Sequence, residues 1–104
     1  MKKPSDQLFK IHYVLDNLRR MKVVGNTSKD QVAHLMYQSE DTLLLRYMSN
    51  RVLYSSFILV RRTSRQCYSV IALTSLYDDR VVIKKSFKTN DSTCHWIKEI
   101  IRRY

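Results

Sequence analysis

Apolar residues near the start of the chain fall at Leu8, Ile11, Leu15 and Leu18, with Phe9 and Val14 beside them, behind a Pro4-Ser5-Asp6 start signal. This spacing predicts an N-terminal amphipathic leader helix within residues 1–21. Gly25, the only glycine of the chain, then breaks the pattern together with Asn26 and Thr27. Ser28 with Gln31 makes a capping-box start, which predicts a second helix from Ser28 to Tyr37 with Val32, Leu35 and Met36 as its buried stripe. The stretch from Glu40 to Ser49 alternates, with Leu43, Leu45 and Tyr47 on one face and Leu44, Arg46 and Met48 on the other. Three more strand-like runs follow, Val52 to Arg62, Gln66 to Thr74 and Val81 to Phe87. Polar turns at Arg61 to Arg65 and Tyr77 to Arg80 allow them to pair as an antiparallel meander. Asn90-Asp91-Ser92 opens a closing helix, with Cys94, Ile97, Ile100, Ile101 and Tyr104 on one face and Lys98, Glu99, Arg102 and Arg103 on the other.

The pattern therefore predicts an α+β fold, a central antiparallel meander sheet flanked by two helices and preceded by the leader helix. Arg46 is its anomaly. A guanidinium within an apolar strand requires a carboxylate, a ligand phosphate or water, because burying it unpaired is expensive. Guanidinium also matches phosphate in a bidentate geometry that lysine cannot copy. Lys29 stands in the first turn of the predicted second helix, where the macrodipole disfavours a cation unless an anion lies nearby.

At 104 residues, 44% hydrophobic, the chain suits one compact domain with a modest core. Nineteen lysines and arginines against nine acids give a net charge of +10, which favours anionic partners. Cys67, Cys94 and the histidines His12, His34 and His95 show no zinc-ligand spacing, so neither a metal nor another cofactor is expected. No apolar run reaches the roughly 18 residues of a membrane span. Met1-Lys2-Lys3 leads into Pro-Ser-Asp rather than a signal-peptide core, which predicts an intracellular, reducing, cytoplasmic setting.

Several landmarks together resemble the Src homology 2 domain, the phosphotyrosine-binding module of signalling proteins. The segment from Gly25 to Met36 is similar to the opening of that family, and Asp41-Thr42-Leu43-Leu44-Leu45-Arg46 resembles its Gly-Thr-Phe-Leu-Val-Arg signature. Ile97-Lys98-Glu99-Ile100-Ile101-Arg102-Arg103-Tyr104 is similar to its closing helix, so the resemblance covers a domain of residues 22–104. It implies that Arg46 forms the floor of a phosphate pocket and that Lys29 clamps the phosphate from the side. It further implies that Ser49, Asn50 and Arg51 wrap the phosphate oxygens, with Cys67, Tyr68 and Ser69 beside the tyrosine ring. The implied function is recognition of tyrosine-phosphorylated proteins or peptides without catalysis. Sequence selectivity would be weak, since the chain stops at Tyr104 before the loop that helps select flanking residues.

Departures accompany the matches. Gln66-Cys67-Tyr68-Ser69 lacks the histidine that the family places before tyrosine, and Lys22 stands near its usual tryptophan. Ile58-Leu59-Val60-Arg61 resembles the signature even more than Leu43 to Arg46 does, yet only 43 residues follow Arg61, too few for the remaining strands and final helix, against 58 after Arg46. The pattern is that of a divergent member, in the style of a bacterial or viral effector that works in the host cytoplasm. Two alternatives stand beside it. One is a degenerate relative acting only as a protein-interaction module. The other is a basic nucleic-acid-binding domain with a dispersed footprint over Arg19, Arg20, Lys84, Lys85, Lys88, Arg102 and Arg103. No catalytic triad, nucleotide loop or paired catalytic carboxylates can be assembled, so an enzyme is not expected; Asp78-Asp79 reads as hairpin chemistry.

Overall fold

The computed structural model describes residues 11–25, 33–48, 55–64, 67–76 and 79–103, the side chains of residues 75, 76, 79 and 80 excepted. A first helix, α1 (Ile11–Arg20), precedes strands β1 (His34–Gln38), β2 (Thr42–Met48), β3 (Ser55–Ser64), β4 (Cys67–Leu76) and β5 (Asp79–Phe87), and a second helix, α2 (Asn90–Arg103), closes the described chain. The strands form one antiparallel meander in the order β1-β2-β3-β4-β5.

Both helices lie on the same face of this sheet. Ile11, Val14, Leu15 and Leu18 of α1 and Cys94, Ile97, Ile100 and Ile101 of α2 belong to one buried cluster. The sheet adds Leu43, Leu45, Tyr47, Ile58, Val60, Tyr68, Val70 and Ala72 to that cluster. Side-chain alternation explains which residues these are, since every second position of β2, β3 and β4 turns toward the helices. The helices cross in antiparallel fashion. Cys94 Sγ approaches the Val14 carbonyl at 3.6 Å, and one turn further along Asn17 Nδ2 donates to Asn90 Oδ1 at 3.3 Å.

This arrangement overturns the expected Src homology 2-like layout. That layout needs the Ser28–Tyr37 helix on one side of the sheet and the closing helix on the other. Residues 26–32 lie outside the described part, but His34–Gln38 is an edge strand paired with β2, not the end of a helix. The expected stripe divides accordingly, with Leu35 packed against the core and Met36 half exposed at 51% in the bulge between Leu35 and Tyr37. Backbone pairing decides the matter. Ala33 N–H donates to Val23 O at 2.8 Å, Ser39 N–H donates to Thr42 O at 2.9 Å, and between them His34, Leu35, Tyr37 and Gln38 pair with β2. The leader helix, not the expected second helix, is then the element that packs beside the closing helix.

Element ends follow local chemistry. Thr89 caps α2 by accepting from the Ser92 N–H at 3.1 Å, one residue before the capping run expected at Asn90. After α1, Lys22 adopts φ 61°, Lys22 N–H donates to Arg19 O and Val23 N–H donates to Leu18 O, which is a Schellman closure with Leu18 and Val23 both buried. The sheet edges are guarded. β1 carries the bulge at Met36, and β5 carries Lys84 and Lys85, the latter with its ammonium 5.5 Å from the Phe87 ring centre.

Candidate functional site: the open face of the sheet

With both described helices on one side, no described element covers the other face of the sheet, the open face. Register places its side chains in rows across the strands. One row runs Tyr37, Leu44, Leu59, Ile71, Lys84, and the next runs His34, Arg46, Phe57, Leu73, Val82. A third row runs Thr42, Arg61, Ser69, Ser86. The first two rows enclose a band of six apolar side chains, Leu44, Leu59, Ile71, Phe57, Leu73 and Val82, offset by one strand between the rows. None of the six is buried, and Val82 is 55% exposed.

Such a band breaks the usual rule for an antiparallel sheet with one wet face, where outward positions are polar. A contiguous apolar surface of this kind is a candidate place of contact. Its charged neighbours among the described residues are cationic. Arg46, Arg61 and Lys84 are exposed around the band, while the described carboxylates sit on the helices at Asp16, Asp91 and Glu99 or in the β1–β2 turn at Glu40 and Asp41. Asp41 is occupied locally, accepting hydrogen bonds from Ser39 Oγ and Thr42 Oγ1 at 3.2 and 3.1 Å.

The residues expected to form a phosphotyrosine pocket are distributed over both faces. Arg46 is exposed on the open face, as are the positions of Cys67 and Ser69, but Ser69 pairs with Arg61 rather than standing near Arg46. Arg46 and Ser69 are two strands and four residues apart, about 10 Å across and about 13 Å along the sheet. Tyr68 is fully buried on the helix-covered face, and its hydroxyl has no hydrogen-bond partner among the described residues. Burial pushes that phenol up to about 12, with Arg62 drawing it down and Cys94 adding to the rise. Lys29, Ser49, Asn50 and Arg51 lie outside the described residues. Arg61, the rival for the signature arginine, is on the same open face as Arg46.

The helix-borne cations of the nucleic-acid alternative are dispersed. Arg19 and Arg20 end α1, and Arg102 and Arg103 end α2, at opposite ends of an antiparallel helix pair. Lys84 is on the open face, whereas Lys85 pairs with the buried Val70 at the far edge. Among the described residues no group of three or more histidine, cysteine or acidic side chains could hold a metal ion, and no helix is long and apolar enough to cross a membrane.

The apolar band escaped the sequence reading, though a signal for it was present. Phe57-Ile58-Leu59-Val60 and Val70-Ile71-Ala72-Leu73 are unbroken apolar runs, the signature of strands covered on both faces, whereas the described helices cover only one. No protein-family model, curated protein or solved structure matches the chain.

Proposed function

We propose that the protein is a non-catalytic binding module that docks an anionic protein or peptide on the open face of its sheet. The observation that carries this is the six-residue apolar band bordered by Arg46, Arg61 and Lys84. Apolar contact supplies the affinity of such a surface and the cations supply orientation and choice of partner. Arg46 is exposed to any phosphorylated side chain brought to this face, so a phosphotyrosine peptide is one of the anions it is fit to meet. Single-stranded nucleic acid suits the site less well. Base stacking needs flat rings along a strand path, and the centre of this face is aliphatic apart from Phe57.

The test is a selection of random peptides on the full chain, followed by hydrogen exchange of each complex. Ligands that protect β2, β3 and β4 and are lost in Leu59→Asp/Ile71→Asp, a variant judged folded by circular dichroism, bear the proposal out. Ligands that map to the helix layer, or that survive the double variant, overturn it.

A further inference from the structure

Resting on that docking reading, we infer that the occupant of the open face is an amphipathic helix with an acidic rim, laid across the strands as a third layer. The edges of the sheet direct a partner onto the face rather than alongside it. β1 is short and bulged at Met36, and β5 presents Lys84 and Lys85, two devices that discourage strand addition. What covers a sheet face is then a helix or a second sheet.

A second copy of this chain offers a sheet of matching shape but the wrong charge. Every charged side chain described on the open face is a cation, Arg46, Arg61 and Lys84, and the other titratable groups there, His34, Tyr37 and Cys67, include no carboxylate. Face-to-face self-association brings no described carboxylate of that face to any of them and gathers like charges around a desolvated band. An acidic helix supplies the missing sign. The dimensions also suit one, because a helix of about 14 residues is about 21 Å long and five strands span about 19 Å. The molecule covers its other face with a helix of that length, α2, whose 14 residues turn Cys94, Ile97, Ile100 and Ile101 to the sheet. In the proposed complex the partner's i, i+3, i+4, i+7 apolar residues rest on Leu44, Leu59, Ile71, Phe57 and Leu73. Its flanking carboxylates reach Arg46 at one corner, Lys84 at the other and Arg61 alongside.

A helix library with fixed apolar periodicity and rim positions randomised among Glu, Lys and Gln, displayed and selected on the full chain, tests this. Glu is expected to dominate the rim on wild type, and Lys to replace it on Arg46→Glu/Lys84→Glu. The Glu-rimmed helix is expected to lose about tenfold or more in affinity for that variant, or about 1.4 kcal/mol. Selection of Gln or Lys rims on wild type overturns the inference. So does the absence of any enriched helix, and two parallel measurements say what replaces it. Sedimentation showing a dimer that Leu59→Asp disperses assigns the face to a second copy, and oligothymidine binding lost in Arg46→Ala assigns it to nucleic acid. If random peptides dock on the open face but are extended or carry no acidic excess, the docking reading survives and the helical occupant does not.

Discussion

Arg46 on β2 and Lys84 on β5 stand at opposite corners of the open face, each completing a row whose neighbouring central positions are apolar. Three strand spacings, about 14 Å, separate them, so they touch different parts of any ligand that crosses the sheet. Arg46→Ala and Lys84→Ala are each expected to weaken a Glu-rimmed helix by about three- to tenfold at low salt. Their combined effect should be additive within about 0.5 kcal/mol, as for sites without shared partners. Fluorescence anisotropy at two salt concentrations checks this, and most of either effect should vanish at 1 M salt, where the screening length is about 3 Å.

The two faces of β2 and β3 should respond to substitution in opposite ways. Leu45 is fully buried under the helices, so Leu45→Ala is expected to cost about 2–5 kcal/mol through lost transfer energy and a cavity. Leu59, on the open face, is intermediate in exposure, and Leu59→Ser should cost less folding stability than Leu45→Ala while abolishing docking. Urea unfolding of both variants measures the contrast.

Lys22 occupies the left-handed region at φ 61°, where a side chain with Cβ is strained and glycine is not. Its N–H is held by Arg19 O at 3.0 Å, so a substitution there keeps the closure of α1. Lys22→Gly is expected to stabilise the protein by about 1 kcal/mol, seen as a higher urea midpoint with an unchanged m-value, whereas Lys22→Val should destabilise it.

Alkaline pH should loosen the helix-covered core. Burial pushes the Cys94 thiol up from 9.0 to about 12, against a weaker opposing hydrogen bond from Asn17 and with Asp91 adding to the rise, and the Tyr68 phenol goes from 10.0 to about 12. Both folded-state values lie above the unfolded ones. The unfolded chain therefore releases these protons first, and the stability present below about pH 9 drains away as pH rises toward 12. Thermal unfolding followed from pH 8 to 11.5 should show a falling midpoint, and Tyr68→Phe should reduce the slope. In the same chemistry, Cys94 should resist thiol reagents in native protein while the half-exposed Cys67 reacts.

Much of the chain's local order was legible in its pattern. Leu8 to Leu18 carries helical spacing, and the described part of that segment is α1. The alternation of Leu43, Leu45 and Tyr47 against Leu44, Arg46 and Met48 is the division of β2 between its two faces. The run beginning at Asn90 is α2. These are properties of neighbouring residues, and periodicity reports them directly.

Segment 33–38 misled because its signal was short. Leu35 and Met36 suit a helical stripe as well as a strand, and pairing with β2, which involves residues about ten positions later, chose the strand. That choice took residues 34–37 out of the expected Ser28–Tyr37 helix, on which the expected layout of sheet and helices depended.

The side of the sheet on which α1 and α2 lie was never a local property. Residue order alone dictates which segments are amphipathic, how charged their outer faces are, and that two strands are apolar on both sides. Tertiary packing decided the rest. Burying Ile11, Val14, Leu15 and Leu18 against Cys94 and Ile97 gathers both helices over one face, because each apolar stripe is satisfied by the other and by the same row of sheet residues. The opposite face, with Leu44, Phe57, Leu59, Ile71 and Leu73 between Arg46 and Lys84, is left without a covering helix among the described residues by that same choice.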